Sequence, residues 1–186
     1  LVSSIVMPSF FLRIGISLLL LVMLYSPIRW MVISHPNQYF YFNEILGGVE
    51  NAYNQYETDY WMNSTKESCL WAIENIPEIK AGEKISIATQ AYWSVFYYFK
   101  KYPNVSVVYT RYHERVKKKW DYGIYVSRFV NQGIIQSGNW PPGQEILFTR
   151  KIDNVPICSV IKRSEINKKG PEAIAAFTAK DNTKAL

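Results

Sequence analysis

Cysteine and histidine are scarce in this 186-residue chain: there are two of each. Cys69 and Cys158 stand far apart, and neither belongs to a CxxC or Cys/His spacing, so a zinc site has no ligands to draw on. They are read as two unrelated thiols, with a disulfide left open for an oxidising compartment. His35 and His113 are equally separated and have no Ser or Cys partner that would suggest nucleophilic catalysis. No P-loop, GxGxxG, GxSxG or HExxH pattern occurs, which removes the common signatures of nucleotide binding, serine hydrolysis and zinc proteolysis. Charge is modest, at 19% of residues, so the chain does not have the composition of a disordered polyelectrolyte.

What is present is apolar and aromatic. Hydrophobic residues make up 48% and aromatics 16%, with fourteen tyrosines. That is enough for a core, and the aromatic share suits a membrane interface or a sugar-binding surface. The net charge of +6 permits attraction to anionic lipid, lipid phosphate or nucleic acid without choosing among them. The chain starts at Leu1 inside an apolar pattern and ends at Leu186 without a helix stop, as a piece of a longer protein would.

Phe10 to Ile33 is the candidate transmembrane helix. A span takes about 20 mostly apolar residues at about 1.5 Å each. The run meets this by taking in Pro27 and Arg29, and Arg13 and Arg29 lie near its ends, where long side chains reach the headgroups. Trp30, Tyr39, Phe40, Tyr41 and Phe42 follow as an interfacial aromatic cluster. A soluble core helix is less consistent with the run Leu18–Leu21. A cleaved signal peptide is less consistent with Pro27, Arg29 and Trp30 where small residues belong. Arg13 against Arg29 leaves orientation undecided.

His35-Pro36 ends that helix, since the residue before proline is driven out of helical geometry. Residues 35–63 form an aromatic joint broken at Gly47-Gly48. Beyond it, Ser64-Thr65-Lys66-Glu67 reads as a capping box. Cys69, Ala72, Ile73 and Ile76 mark the buried face of a helix that Pro77 stops. Strands are expected at Lys84–Thr89, Val105–Tyr109, Asp121–Ser127, Glu145–Arg150 and Val155–Lys162, with a helix around Tyr92–Phe99. The first two strands, joined through that helix, should run parallel with a right-handed crossover. The last two should form a hairpin on Asp153-Asn154. The expected fold is therefore α/β: one N-terminal transmembrane helix (1–34), the joint (35–63), and a small domain with a mixed sheet and C-terminal hairpin (64–163). A linker and the start of a helical module follow (164–186).

Several features admit a chemical reading beside a plainer one. Glu57 and Asp59 could be an acid/base or metal pair, although an isolated acidic pair more often bonds a loop to backbone. Tyr60-Trp61 could stack on a sugar ring, although packing of the joint against the domain is the commoner use. Lys117-Lys118-Lys119 could meet phosphate or anionic headgroups, although a solvated loop explains it as well. Nucleic acid is disfavoured by the apolar span. Asn63-Ser64-Thr65 and Asn104-Val105-Ser106 match the glycosylation sequon, a match common by chance.

The order of these features carries a resemblance. His35-Pro36, Tyr39, Tyr41-Phe42-Asn43, Gly47-Gly48, Glu57, Asp59-Tyr60-Trp61, Ser64, Glu67 and Trp71 follow an apolar span, and Trp140-Pro141-Pro142-Gly143 and a final hairpin come later. From Ile14 to Arg163 the chain resembles the carboxy-terminal part of bacterial multi-pass glycosyltransferases of family 39, which are similar to dolichyl-phosphate-mannose protein mannosyltransferases. The resemblance implies a polyprenyl-phosphate-linked sugar donor and a tail domain on the extracytoplasmic side of the bacterial inner membrane. It implies membrane lipid and the rest of the parent protein as partners. The family's catalytic acids lie in an early loop that is absent here, so no catalytic residue is carried over and the fragment is expected to be non-catalytic by itself. No cofactor is expected in it, and whether the parent uses a divalent metal stays open. His35, Asn43, Glu57, Asp59, Tyr60 and Trp61 are the expected substrate-facing residues. The alternative is a non-enzymatic, membrane-anchored binding or assembly module.

Overall fold

A computed structural model describes residues 10–53, 55–141 and 146–163, and the chain divides into two compact units that meet at Gly48 and Val49. Within the first unit, helix α1 (Phe10–Ile33) takes the bounds its apolar run predicts, with Pro27 inside it. The Ser34 amide closes the last turn on the Trp30 carbonyl at 2.8 Å, and His35-Pro36 then takes the chain out of the helix. Leu12–Ile33, 22 residues, is long and apolar enough to cross a membrane, and only 6% of its most apolar window is buried. Trp30 meets Tyr41 edge to face at 5.6 Å. The Asn43 side chain accepts from the Ile45 amide and caps a 3-10 turn, Glu44–Leu46. Gly47 and Gly48 take φ of 93° and 61°, a left-handed geometry open to glycine, which is the break their pairing predicts.

The second unit is an α/β fold built on a five-stranded mixed sheet. Helix α2 is Gly48–Tyr53, α3 is Ser64–Asn75, α4 is Pro77–Ala81, α5 is Tyr92–Phe99 and α6 is Gln132–Gln136. The strands are β1 (Ile85–Thr89), β2 (Val105–Tyr109), β3 (Tyr122–Val126), β4 (Ile146–Ile152) and β5 (Val155–Lys162), in the order β2-β1-β3-β5-β4. β1 runs parallel to β2 and to β3, while β5 runs antiparallel to β3 and to β4. The β4–β5 turn places Asp153 and Asn154 at φ of 44° and 64°, where these two residues are better tolerated than other side chains. Pro77 interrupts the helix as expected, but it also opens α4, where its missing amide costs nothing.

One face of the sheet packs on the helices. Ile85 and Ile87 of β1, Ile124 and Val126 of β3, and Cys158 and Val160 of β5 meet Cys69, Ala72, Val95 and Phe99 in a single core. The fully buried Phe99 and Ile124 are each worth about 1.5–3 kcal/mol in apolar surface removed from water. Both thiols are free and buried in this core. The opposite face is covered by aromatic side chains of loops. Tyr125 of β3 meets Tyr112 edge to face at 5.4 Å, and Tyr112 meets Trp140 at 5.1 Å. The Trp140 indole and the Tyr53 hydroxyl both donate to the Pro156 carbonyl, at 3.2 and 2.8 Å. Lys117-Lys118-Lys119 is exposed, as the solvated-loop reading has it, while Tyr112 upstream enters the interior with the Arg115 guanidinium 4.0 Å over its ring. The Asn104 amide of one sequon donates to the Ile79 and Glu83 carbonyls, at 3.2 and 3.0 Å. The linker and helical module expected at 164–186, and Pro142-Gly143, lie outside the described residues.

Candidate functional site

From the carboxyl end of β1 the chain passes into α5, whose Val95 and Phe99 enter the core, and from that of β3 into a 3-10 turn whose Phe129 packs against the same core. In open α/β sheets the carboxyl ends of the strands are the usual place for a ligand. Arg128 stands there, directly after β3 in a 3-10 turn, Ser127–Phe129.

Two of the six residues singled out in the sequence, Glu57 and Tyr60, contact it. Arg128 donates to the Tyr60 carbonyl, holds its guanidinium 4.2 Å over the Tyr60 ring, and pairs with Glu57 at 3.4 Å. Tyr60 and Trp61 touch edge to face at 5.1 Å and are 54% and 69% exposed. Tyr60 thus packs onto the domain through Arg128, in line with the plainer reading, while Trp61 is the more exposed of the two rings.

The cause is Asp59, which is buried at φ 53°. Its carboxylate accepts from the Asn63 amide at 2.9 Å and from the Ser64 hydroxyl, just at the start of α3. The Met62 amide closes the turn on the Asp59 carbonyl at 2.9 Å, and Met62 is also left-handed, at φ 56°. A negative charge at a helix start is favoured by the unpaired amides and the dipole there. Two non-glycine residues held left-handed cost about 1–2 kcal/mol each, which these bonds offset.

The capping box expected at Ser64–Glu67 does not form. The Ser64 hydroxyl donates to Asp59, and Glu67 pairs with Arg150 of β4 at 2.7 Å. Asp59, five residues upstream of Ser64, supplies the anion at the helix start, so the plainer reading of this acid as a loop-bonding group holds for it. His35 and Asn43 belong to the first unit and are each engaged locally, His35 with the Gln38 amide at 2.6 Å and Asn43 with Ile45 at 2.9 Å. Arg128 was missed. The only sequence signal for it was a lone arginine immediately after a strand.

A concavity of about 230 Å³ lies at the amino ends of the strands, between Glu78, Asp121, Tyr122 and Lys162. Two of its acids are engaged within the fold, although Glu78 Oε2 has no hydrogen-bond partner among the described residues. Asp121 accepts from the Ser86 amide and hydroxyl, both at 2.8 Å, and Glu78 takes the Tyr122 hydroxyl at 2.7 Å and Lys162 at 3.5 Å. The Tyr122 bond, more than Lys162, holds the Glu78 carboxyl below its usual range. A depressed folded pKa gives stability that is complete above the ordinary carboxylate pKa and lost as pH falls through the folded value. Tyr122→Phe is accordingly expected to flatten the acid limb of the unfolding profile, read from urea midpoints across the acidic range. An unchanged slope would show that this bond does not contribute.

Among the described residues, no group of three or more His, Cys, Asp or Glu converges as metal ligands would. Burial raises both thiols, Cys158 to about 12, so they stay protonated and poor nucleophiles. The class the fold and site define is an α/β domain with a mixed five-stranded sheet, preceded by an apolar helix, with an aromatic and charged cluster at its strand ends. Comparison with protein families, with curated proteins and with solved structures finds no match to this chain.

Proposed function

We propose that the chain is the last span and extracytoplasmic α/β domain of a bacterial inner-membrane glycosyltransferase that uses a polyprenyl-phosphate-linked sugar, with Tyr60-Trp61 as a sugar-stacking platform. The carrying observation is the exposed Trp61 ring, set beside the Arg128-backed Tyr60 by a turn that holds two left-handed residues and a buried carboxylate. A pyranose offers an apolar face to such rings. Glu57 and Arg128, at its rim, offer hydroxyl acceptors and donors. The unburied apolar length of α1 supports the bilayer setting. On this reading the domain positions substrate, and bond making belongs to the missing catalytic loop.

The test is titration of the chain, reconstituted in nanodiscs, with a polyprenyl-phosphate hexose. Trp61→Ala is expected to weaken binding about tenfold while changing unfolding stability by less than about 0.5 kcal/mol, since the ring is exposed. Equal affinity in both proteins would reduce the platform to surface. In the intact reading frame the same substitution should lower transfer at normal protein level.

The anchored binding module remains the second reading, favoured by one observation: Lys117-Lys118-Lys119 stands exposed, where it can meet a partner or anionic lipid. The coding sequence upstream of Leu1 separates the two. Many further spans with an acidic first loop favour the transferase, and a nearby start codon favours the anchor.

A further inference from the structure

Helix α5 is apolar on two sides, and the fold uses only one of them. Val95 and Phe99 enter the core, while Trp93, Phe96 and Tyr97 stand 78%, 41% and 61% exposed on the other side. These three recur at the i, i+3, i+4 spacing of a single helix face. The rings are ordered against each other, with Trp93 6.4 Å from Phe96 edge to face and Tyr92 stacked on Phe96 at 5.8 Å. Lys100 and Lys101 end the helix in water, and the Lys100 ammonium lies 4.2 Å over the Tyr97 ring. A solvent-facing helix in a soluble domain would carry charge along this stripe. Here the stripe carries Trp, Phe and Tyr with lysine at its end, the composition that settles in the headgroup layer of a bilayer.

We propose that this face of α5 is a membrane-interfacial anchor, lying in the headgroup region of the bilayer that α1 crosses. The proposal rests on reading α1 as a span. The chain then supplies its own occupant, because residues 34–48 reach at most about 50 Å at full stretch and keep the domain beside lipid. Net charge adds to the attraction: the protein is +6, and Lys100 and Lys101 would meet anionic headgroups.

Introduced thiols report this directly, since Cys69 and Cys158 are fully buried and do not compete for label. The full chain would be placed in vesicles of phosphatidylethanolamine and phosphatidylglycerol, with an environment-sensitive fluorophore at Tyr97→Cys, Leu20→Cys or Lys151→Cys. With nitroxide lipid quenching at a shallow position, the Tyr97 probe is expected to shift to the blue and lose most of its emission. The Lys151 probe, on an exposed position of β4, should keep its emission and answer to aqueous iodide. The Leu20 probe tests the span separately through a deep nitroxide. Quenching at Leu20 with iodide access at Tyr97 would overturn the anchor and leave the span. Shielding of Tyr97 from both quenchers would also overturn it, since a second copy, residues 164–186 or another protein would then cover the face. Failure at Leu20 would remove the reading on which the anchor rests. In the triple variant Trp93→Ser, Phe96→Ser, Tyr97→Cys, a folded protein whose probe stays lipid-quenched would likewise count against the anchor.

Discussion

Gly123→Ala is expected to destabilise the α/β unit by about 2–3 kcal/mol, close to the upper end for a single added methyl in a full core. A Cβ built at Gly123 would sit 2.6 Å from Tyr125 Cε2 and 3.0 Å from Ile161 Cγ1. Neither neighbour has anywhere to go. The Tyr125 ring is 1% exposed and leans on Tyr112, which leans on Trp140. Ile161 is fully buried on the paired strand β5, opposite Gly123 in the register. The whole aromatic layer on this face of the sheet would have to shift. The check is the urea midpoint with near-ultraviolet circular dichroism, which follows packing of these rings. Gly123→Ala with Tyr125→Leu should recover part of the loss, because the shorter side chain vacates the contact. A change within about 0.5 kcal/mol for Gly123→Ala alone would mean the Tyr125 ring is not held as described.

Asp59→Ala is expected to cost about 2–4 kcal/mol and to disable the platform as well. Two sources add up. Hydrogen bonds to a charged acceptor contribute about 1.5–3 kcal/mol, and here the Asn63 amide and the Ser64 hydroxyl both lose theirs. Alanine tolerates a φ of 53° less well than aspartate, and that difference adds less than about 1 kcal/mol. The variants separate these terms. Asp59→Asn keeps an acceptor and suits the left-handed backbone, so it should retain much of the stability. Asp59→Gly relieves the strain but loses both bonds, so it should fall between asparagine and alanine. Asp59→Ala should lower stability and sugar binding together, whereas Trp61→Ala should lower binding alone. If Asp59→Ala unfolds at the parent's midpoint, the carboxylate does not organise the turn and the proposed presentation of Trp61 loses its basis.

These residues also show where sequence reasoning reached its limit. The Asp59–Trp61 motif was visible, and so were its two plain readings. For Asp59 the plain reading holds, because its bonds span only four and five residues. For Tyr60-Trp61 the outcome divides, with Tyr60 under Arg128 and Trp61 exposed, because the direction of the two side chains depends on the φ of Asp59 and Met62, and no periodicity encodes that. The capping box failed for a related reason. Ser64 and Glu67 had the right spacing, but Asp59 and Arg150 competed for them, and Arg150 comes from a strand far along the chain.

What the sequence determined by itself is local and periodic. The apolar run sets α1, alternation sets the strands, Pro77 and Gly47-Gly48 set the breaks, and Asp153-Asn154 sets the hairpin, because each depends on backbone geometry within a few residues. Only the tertiary structure decided that β3 lies between β1 and β5, that Tyr112, Tyr125 and Trp140 close the second face, and that Arg128 joins Glu57 and Tyr60. Those arrangements bring together residues up to some seventy positions apart, as Arg128 and Tyr60 are. Side chains so distant choose partners by burial and charge in the folded chain, and one-dimensional order does not record that choice.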